Sequence, residues 1–142
     1  MKIGEWDFPD NLYYDRQHGW ALVEGNTAVF GITDFAQHSA KQIVYAEVPL
    51  VGRTVEQGKT FMSMESGKWV GRIYAPLSGK ISSANEELEF DPGIINQSPY
   101  DKGWVVKVQI ANPDETRNLF KPSDAAYQAY IQAELAKYKD AK

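Results

Sequence analysis

The 142-residue chain contains no cysteine. That excludes disulfide scaffolding, thiol nucleophiles and thiolate metal sites. If the protein takes part in sulfur or redox chemistry, the reactive sulfur has to come from an attached group. Histidine is scarce too: His18 and His38 are the only two, too few for an ordinary zinc centre without carboxylate help, so no metal site is expected. No apolar run is long enough to cross a membrane or to form the core of a signal peptide, and acids occur from Glu5 onward, so a cytoplasmic protein is expected. Fifteen Lys and Arg face nineteen Asp and Glu, for a net charge of -4, and the basic residues form no cluster. This argues against a nucleic-acid partner, because phosphate binding rests on clustered cations. No nucleophile and base stand in a recognisable set, so no catalytic residues are expected.

What is present is a chain of strand-like runs divided by Gly and Pro turns, of a size for one domain over residues 1–142. The stretch TFMSMESGKWVGRIYAPLSGKI, residues 60–81, reads as a β-hairpin. Phe61, Met62 and Met64 form one run, and Trp69, Val70, Ile73 and Tyr74 the next. Glu65-Ser66-Gly67 lies between them, with Gly67 expected to supply the positive φ of a tight turn. Lys68 then falls at or beside the tip. On spacing alone, such a lysine reads as a solubilising surface residue.

Residues 1–10 read as an arm that packs Trp6 and Phe8 on the body. Strands are expected at Leu12 to Tyr14, Gly19 to Val23 and Thr27 to Ile32, with a hairpin turn at Glu24-Gly25-Asn26. A short helix follows from Thr33 or Asp34 to Ala40, most of its residues filling a corner. His38 is read there as facing solvent. Strands are expected again at Ile43 to Val48, Lys80 to Ala84 and Trp104 to Ile110, and residues 85–99 read as a long loop with one helical turn. From Ser123 to Tyr138 the period becomes helical: Tyr127, Tyr130, Ile131, Leu135 and Tyr138 share one face, and Ser123 or Asp124 provides the cap. This stripe is expected to close one side of the β structure.

Several blocks together resemble one family. Glu65-Ser66-Gly67-Lys68 followed by Tyr74-Ala75-Pro76-Leu77-Ser78-Gly79 resembles the lipoyl-attachment segment of the glycine cleavage system H protein. His18-Gly19-Trp20, Gly31-Ile32-Thr33-Asp34-Phe35-Ala36-Gln37, Asn85-Glu86, Asp91-Pro92, Ser98-Pro99-Tyr100 and Gly103-Trp104 extend the resemblance, in order, over about Tyr13 to Tyr130. It implies a mainly β fold, the barrel-sandwich hybrid of lipoyl and biotinyl domains, with a short internal helix and a C-terminal helix. It also implies lipoate held covalently on Lys68, with Glu65, Ser66 and Gly67 around the attachment point, and it offers a second reading of the short helix from Thr33 or Asp34 to Ala40 as a surface near the lipoyl arm. The implied partners are a lipoate ligase or lipoyl transferase, the glycine cleavage enzymes, and lipoamide dehydrogenase. A biotin carrier fits less well, because Gly67 and Trp69 flank the lysine where biotin sites usually have methionines. An unmodified interaction domain is the reading from a different class.

Two departures bear on cargo. The residue after the early His is commonly Glu in the family, but here it is Gly19; the fourth residue after the lysine is commonly Asp, but here it is Arg72. If His18, Gly19 and Arg72 contact the arm, a guanidinium replaces acids that would hold a cationic aminomethyl cargo, and paired hydrogen bonds to an oxyanion become the better match. The segment Glu65 to Arg72 thereby looks more like the H-like lipoate-binding proteins of sulfur oxidation, which work with a heterodisulfide-reductase-like complex. Sulfur oxidation is thus the expectation and glycine cleavage the alternative.

Overall fold

The computed structural model describes residues 1–67 and 69–138, without the Tyr138 side chain. Its strands are β1 Lys2–Ile3, β2 Trp6–Asp7, β3 Tyr13–Tyr14, β4 Gly19–Glu24, β5 Thr27–Ile32, β6 Ile43–Ala46, β7 Thr54–Val55, β8 Thr60–Ser66, β9 Trp69–Tyr74, β10 Gly79–Ala84 and β11 Val106–Ile110. The helices are α1 Asp34–Ala40, α2 Glu87–Phe90, α3 Ile94–Gln97 and α4 Ala125–Tyr138, with a 3-10 turn at Pro113–Asn118. One sheet runs β3-β4-β5-β11-β10-β7 and a second β6-β8-β9, with every pair in both antiparallel.

The two sheets close on one core. Ala21, Ala28, Phe30, Val106 and Val108 of the larger sheet meet Phe61, Met62, Met64 and Ile73 of the smaller. Phe61 and Met62 are both buried although they are neighbours, because the register shifts between Thr60 and Met62 and turns two successive side chains inward. A second bulge between Ile43 and Tyr45 leaves Val44 and Tyr45 both exposed, so β6 does not alternate as its sequence suggests. The β4–β5 turn follows expectation: Gly25 takes φ +62° and Glu24 pairs with Thr27.

The larger sheet is covered on its other face as well. Trp20 alternates away from Ala21 and joins Tyr14, Phe8, Ile3, Tyr127 and Ile131 in a separate apolar cluster. The first ten residues are more than an arm, since β1 and β2 pair as a small hairpin that carries Phe8 into this cluster at 0% exposure. α4 presents Tyr127 and Ile131 to it, both fully buried, as the tyrosine stripe implies. Asp124 does not reach forward as a side-chain cap in the bond observed: its Oδ2 accepts from the Lys121 N–H at 2.8 Å. Between Asn85 and Pro99 there are two single helical turns, α2 and α3, rather than one. Each buries one apolar residue, Leu88 and Ile95.

Candidate functional site

The hairpin forms as expected, but its strands are longer. β8 runs to Ser66, which pairs with Trp69 and with Ile43, so the link between β8 and β9 is Gly67-Lys68. Lys68 itself lies outside the described residues. Glu65 is exposed and sits in a cross-strand row with Tyr45 and Val70. Ser66 is buried at 8% exposure, so it belongs to the body of the sheet and not to an exposed turn. Gly67 also corrects its expectation. Its φ lies outside the left-handed region, and open space surrounds the place where a Cβ would stand.

Beside this hairpin a groove of about 200 Å³ runs between β9 and α1. Trp69, Arg72, Ile73 and Tyr74 line it from β9; Phe35, Ala36, Ser39 and Ala40 line it from α1. The helical spacing of the latter four puts them on one face. α1 is thus a groove wall and more than a corner filler. Thr33 fixes its start, its hydroxyl accepting the Ala36 N–H at 3.2 Å as an N-cap. Ile32, Gln17 and His18 complete the lining. His38 is exposed, as expected, and its ring packs 4.7 Å from Trp6.

His18 and Arg72 therefore do come together at the groove, but Gly19 is not among the residues that line it. The segment 15–19 is a tight turn: Asp15 Oδ1 accepts from the Gln17 and Gly19 N–H groups, both at 2.8 Å, and His18 takes φ +68°. A left-handed histidine is unusual and is held here by its partners. Its Nε2 stands 2.8 Å from Glu134 Oε1 and 3.3 Å from the Tyr130 hydroxyl, while its ring meets Phe35 edge-on at 5.5 Å. A Cβ on Gly19 would stand 3.0 Å from Asp15 Oδ2. Asp15 thus supplies a carboxyl beside the position where the family commonly has Glu. Its carboxyl is pushed above the ordinary range by burial, against the opposing pull of the Gly19 and Gln17 N–H groups.

Asp15 and Glu134 are what sequence reasoning missed. Glu134 sits 116 residues from His18, and no local pattern signals that pairing. The spacing Asp15 to Gly19 does carry a signal, an Asp whose side chain caps the following turn. Among the described residues no group of three or more His, Asp or Glu could hold a metal ion. No helix among them is long and apolar enough to cross a membrane.

Two antiparallel sheets closed on a single core, a hairpin linked through a Gly-Lys pair and a terminal helix make a barrel-sandwich hybrid of the lipoyl type. Residues 12–134 match the family model described as Glycine cleavage H-protein. The Glycine cleavage system H protein of Carboxydothermus hydrogenoformans is 43% identical over 126 residues, covering 89% of this chain and 95% of that one. The protein of the same name from Staphylococcus saprophyticus is 45% identical over 111 residues, 78% of this chain and 88% of its own. The crystal structure of a glycine cleavage system H protein from Mycobacterium marinum superposes with a TM-score of 0.74 at 28% identity, covering 89% of this chain and 99% of that one.

The chain belongs to the glycine cleavage H-protein family. Members of that family are carriers that bear lipoate covalently on a lysine and are not enzymes, and this chain is a carrier of that type. The groove fits such a group: at about 200 Å³ it is smaller than the roughly 300–1,000 Å³ of pockets for compact ligands, and Ile32, Phe35, Ala36, Ala40 and Ile73 give it an apolar lining suited to a slender acyl chain.

Proposed function

We propose that this chain is the lipoyl carrier of a glycine cleavage system, with lipoate in amide linkage to Lys68. The observation that carries the reading is the family match over residues 12–134, which spans both strands of the lysine hairpin and the groove beside it. When bound, the group would supply a dithiolane whose sulfurs accept and release cargo by thiol and disulfide exchange. The chain's own contribution is positional. β8 and β9 present the Gly67-Lys68 link on a rigid sheet, Glu65 stands exposed three residues before the lysine for a lipoate ligase or lipoyl transferase to read, and the groove shelters the arm from water. The aminomethyl cargo of glycine cleavage follows from that family match and not from Asp15 or Gly19, neither of which lines the groove. Partner enzymes in this reading are the glycine cleavage enzymes and lipoamide dehydrogenase.

One observation favours a second reading, a carrier for sulfur oxidation that works with a heterodisulfide-reductase-like complex. Arg72 lines the groove, and no carboxylate is among the described residues that line it with Arg72. A guanidinium there suits an oxyanion cargo better than an ammonium. The relatives described above bear glycine cleavage names, so this reading stands second, reversing the order expected from Gly19 and Arg72 alone.

The test is intact mass of the protein purified from its own cells, followed by fragmentation. A lipoyl adduct on Lys68 supports the carrier. An aminomethyl increment on that adduct supports glycine cleavage, whereas added sulfur or sulfur-oxyanion mass transfers the assignment to sulfur oxidation. An unmodified Lys68 while the pathway runs refutes both and leaves an interaction domain.

A further inference from the structure

The reading of Lys68 as the lipoyl site leaves one neighbour without a role. Trp69 follows the lysine directly, lines the groove, and is 36% exposed. Alternation along β9 puts Trp69, Gly71 and Ile73 on one face. The indole lies folded over Gly71, so closely that a Cβ at that position would occupy the place of its ring carbons Cζ2 and Cη2. The missing side chain at Gly71 thus lets the ring lie flat along the strand. The result is an apolar wall running from Trp69 to Ile73, with Phe35, Ala36 and Ala40 of α1 also lining the groove.

An indole with a third of its surface open to solvent, beside a residue that carries a long acyl chain, has a ready use. We propose that Trp69 is the platform on which the methylene chain of the lipoyl arm packs as the arm lies in the groove, and that Gly71 is there to keep the indole flat for it. This rests on the assignment of lipoate to Lys68. The ligand class is an unbranched acyl chain, held by apolar contact with no polar recognition at this point. Arg72, the next residue on β9, lies at the same groove and meets whatever charge the cargo brings.

The test uses the full chain in lipoylated form, confirmed by mass, beside the Lys68→Arg variant that cannot be acylated. The Trp69 emission is isolated by subtracting the spectrum of Trp69→Phe, since Trp6, Trp20 and Trp104 also emit. Packing of the chain on the indole predicts a blue shift of that difference spectrum in the lipoylated protein relative to Lys68→Arg. A second readout is the rate at which a small phosphine reduces the dithiolane. Trp69→Ala should speed reduction by about four- to fifteenfold, the loss of burial of one or two methylenes. Gly71→Ala, which displaces the ring, should do the same, while Trp69→Phe recovers most of the protection. A lipoylated protein with an unshifted Trp69 spectrum and equal reduction rates in all variants overturns the platform and leaves the carrier assignment intact. Absence of any adduct on Lys68 overturns both.

Discussion

Replacing Gly31 with alanine should destabilise the protein through a single ring. Gly31 is the cross-strand partner of Trp20, whose indole lies over it at 2% exposure. That indole is pinned, because Nε1 donates to the carbonyls of Ile32 and Pro99, both at 3.0 Å. A Cβ on Gly31 would stand 2.6 Å from Nε1 and nearer still to two ring carbons. Either the hydrogen bonds break or the strands part. Overpacking of this kind costs about 1–3 kcal/mol. Against it, alanine restricts the unfolded chain and restores about 0.4–1 kcal/mol, since Gly31 does not use a left-handed φ. At the middle of each range the net loss is about 1.3 kcal/mol, which lowers the melting midpoint of a chain this size by about 4–7 °C at roughly 3–5 °C per kcal/mol. Circular dichroism melts of Gly31→Ala, Trp20→Phe and the double variant form a cycle. The smaller ring leaves room for the methyl, so the double variant should lose less than the two single losses added. An unchanged or raised midpoint for Gly31→Ala, or strict additivity in the cycle, would refute the steric argument. Because Ile32 both accepts from Trp20 and lines the groove, the same substitution should loosen the groove's inner wall.

Two further outcomes follow from named contacts. The Asp15 carboxyl titrates above its unfolded value, so its contribution to stability is complete below the ordinary value of about 3.9 and is lost as pH rises through the folded value. Asp15→Asn keeps an oxygen for the Gln17 and Gly19 N–H groups but cannot ionise; urea midpoints of the wild type minus the variant should therefore decline from pH 4 to 7, and a flat difference would contradict the sign. Glu115 ties the 3-10 turn to the loop before β10, its two carboxylate oxygens accepting from the Ser78 N–H and hydroxyl at 2.9 Å each. Glu115→Ala should cost about 1–3 kcal/mol in urea unfolding, as charged hydrogen bonds in a half-exposed setting do, and a loss under about 0.5 kcal/mol would show that solvent replaces them.

What sequence disclosed and what it hid divide along the range of the interactions. The Gly25 turn, the Thr33 cap, the Tyr127 and Ile131 face of α4 and the lysine hairpin rest on contacts within a few residues, and local chemistry writes them plainly. The helix starts at Ala125 and the last strand at Val106, two residues later than their patterns begin, because the chain spends those residues entering each element. The bulges at Ile43/Tyr45 and Thr60/Met62 were hidden, since a register shift depends on the partner strand. At the site, His18 and Arg72 were legible as groove residues through the family's pattern. The turn that Asp15 makes on the Gly19 N–H was not, and because Gly19 stands outside the groove, its missing carboxylate carries no argument about cargo charge. The β1–β2 hairpin leaves no mark in the sequence, because two-residue strands carry no periodicity.

The separate cluster beneath α4 and the first ten residues has a further consequence for motion. It shares the larger sheet with the barrel core but is built from different side chains, Ile3, Phe8, Tyr14, Tyr127 and Ile131 among them. In the language of hydrogen exchange, such a layer is a unit able to open below the free energy of global unfolding while the barrel stays shut. Since His18 reaches from the groove to Glu134 on α4, each opening of that layer would also release His18 from its partner at the edge of the groove. The terminal helix would thereby act as a clock on the groove, its fraying frequency setting how often the groove relaxes.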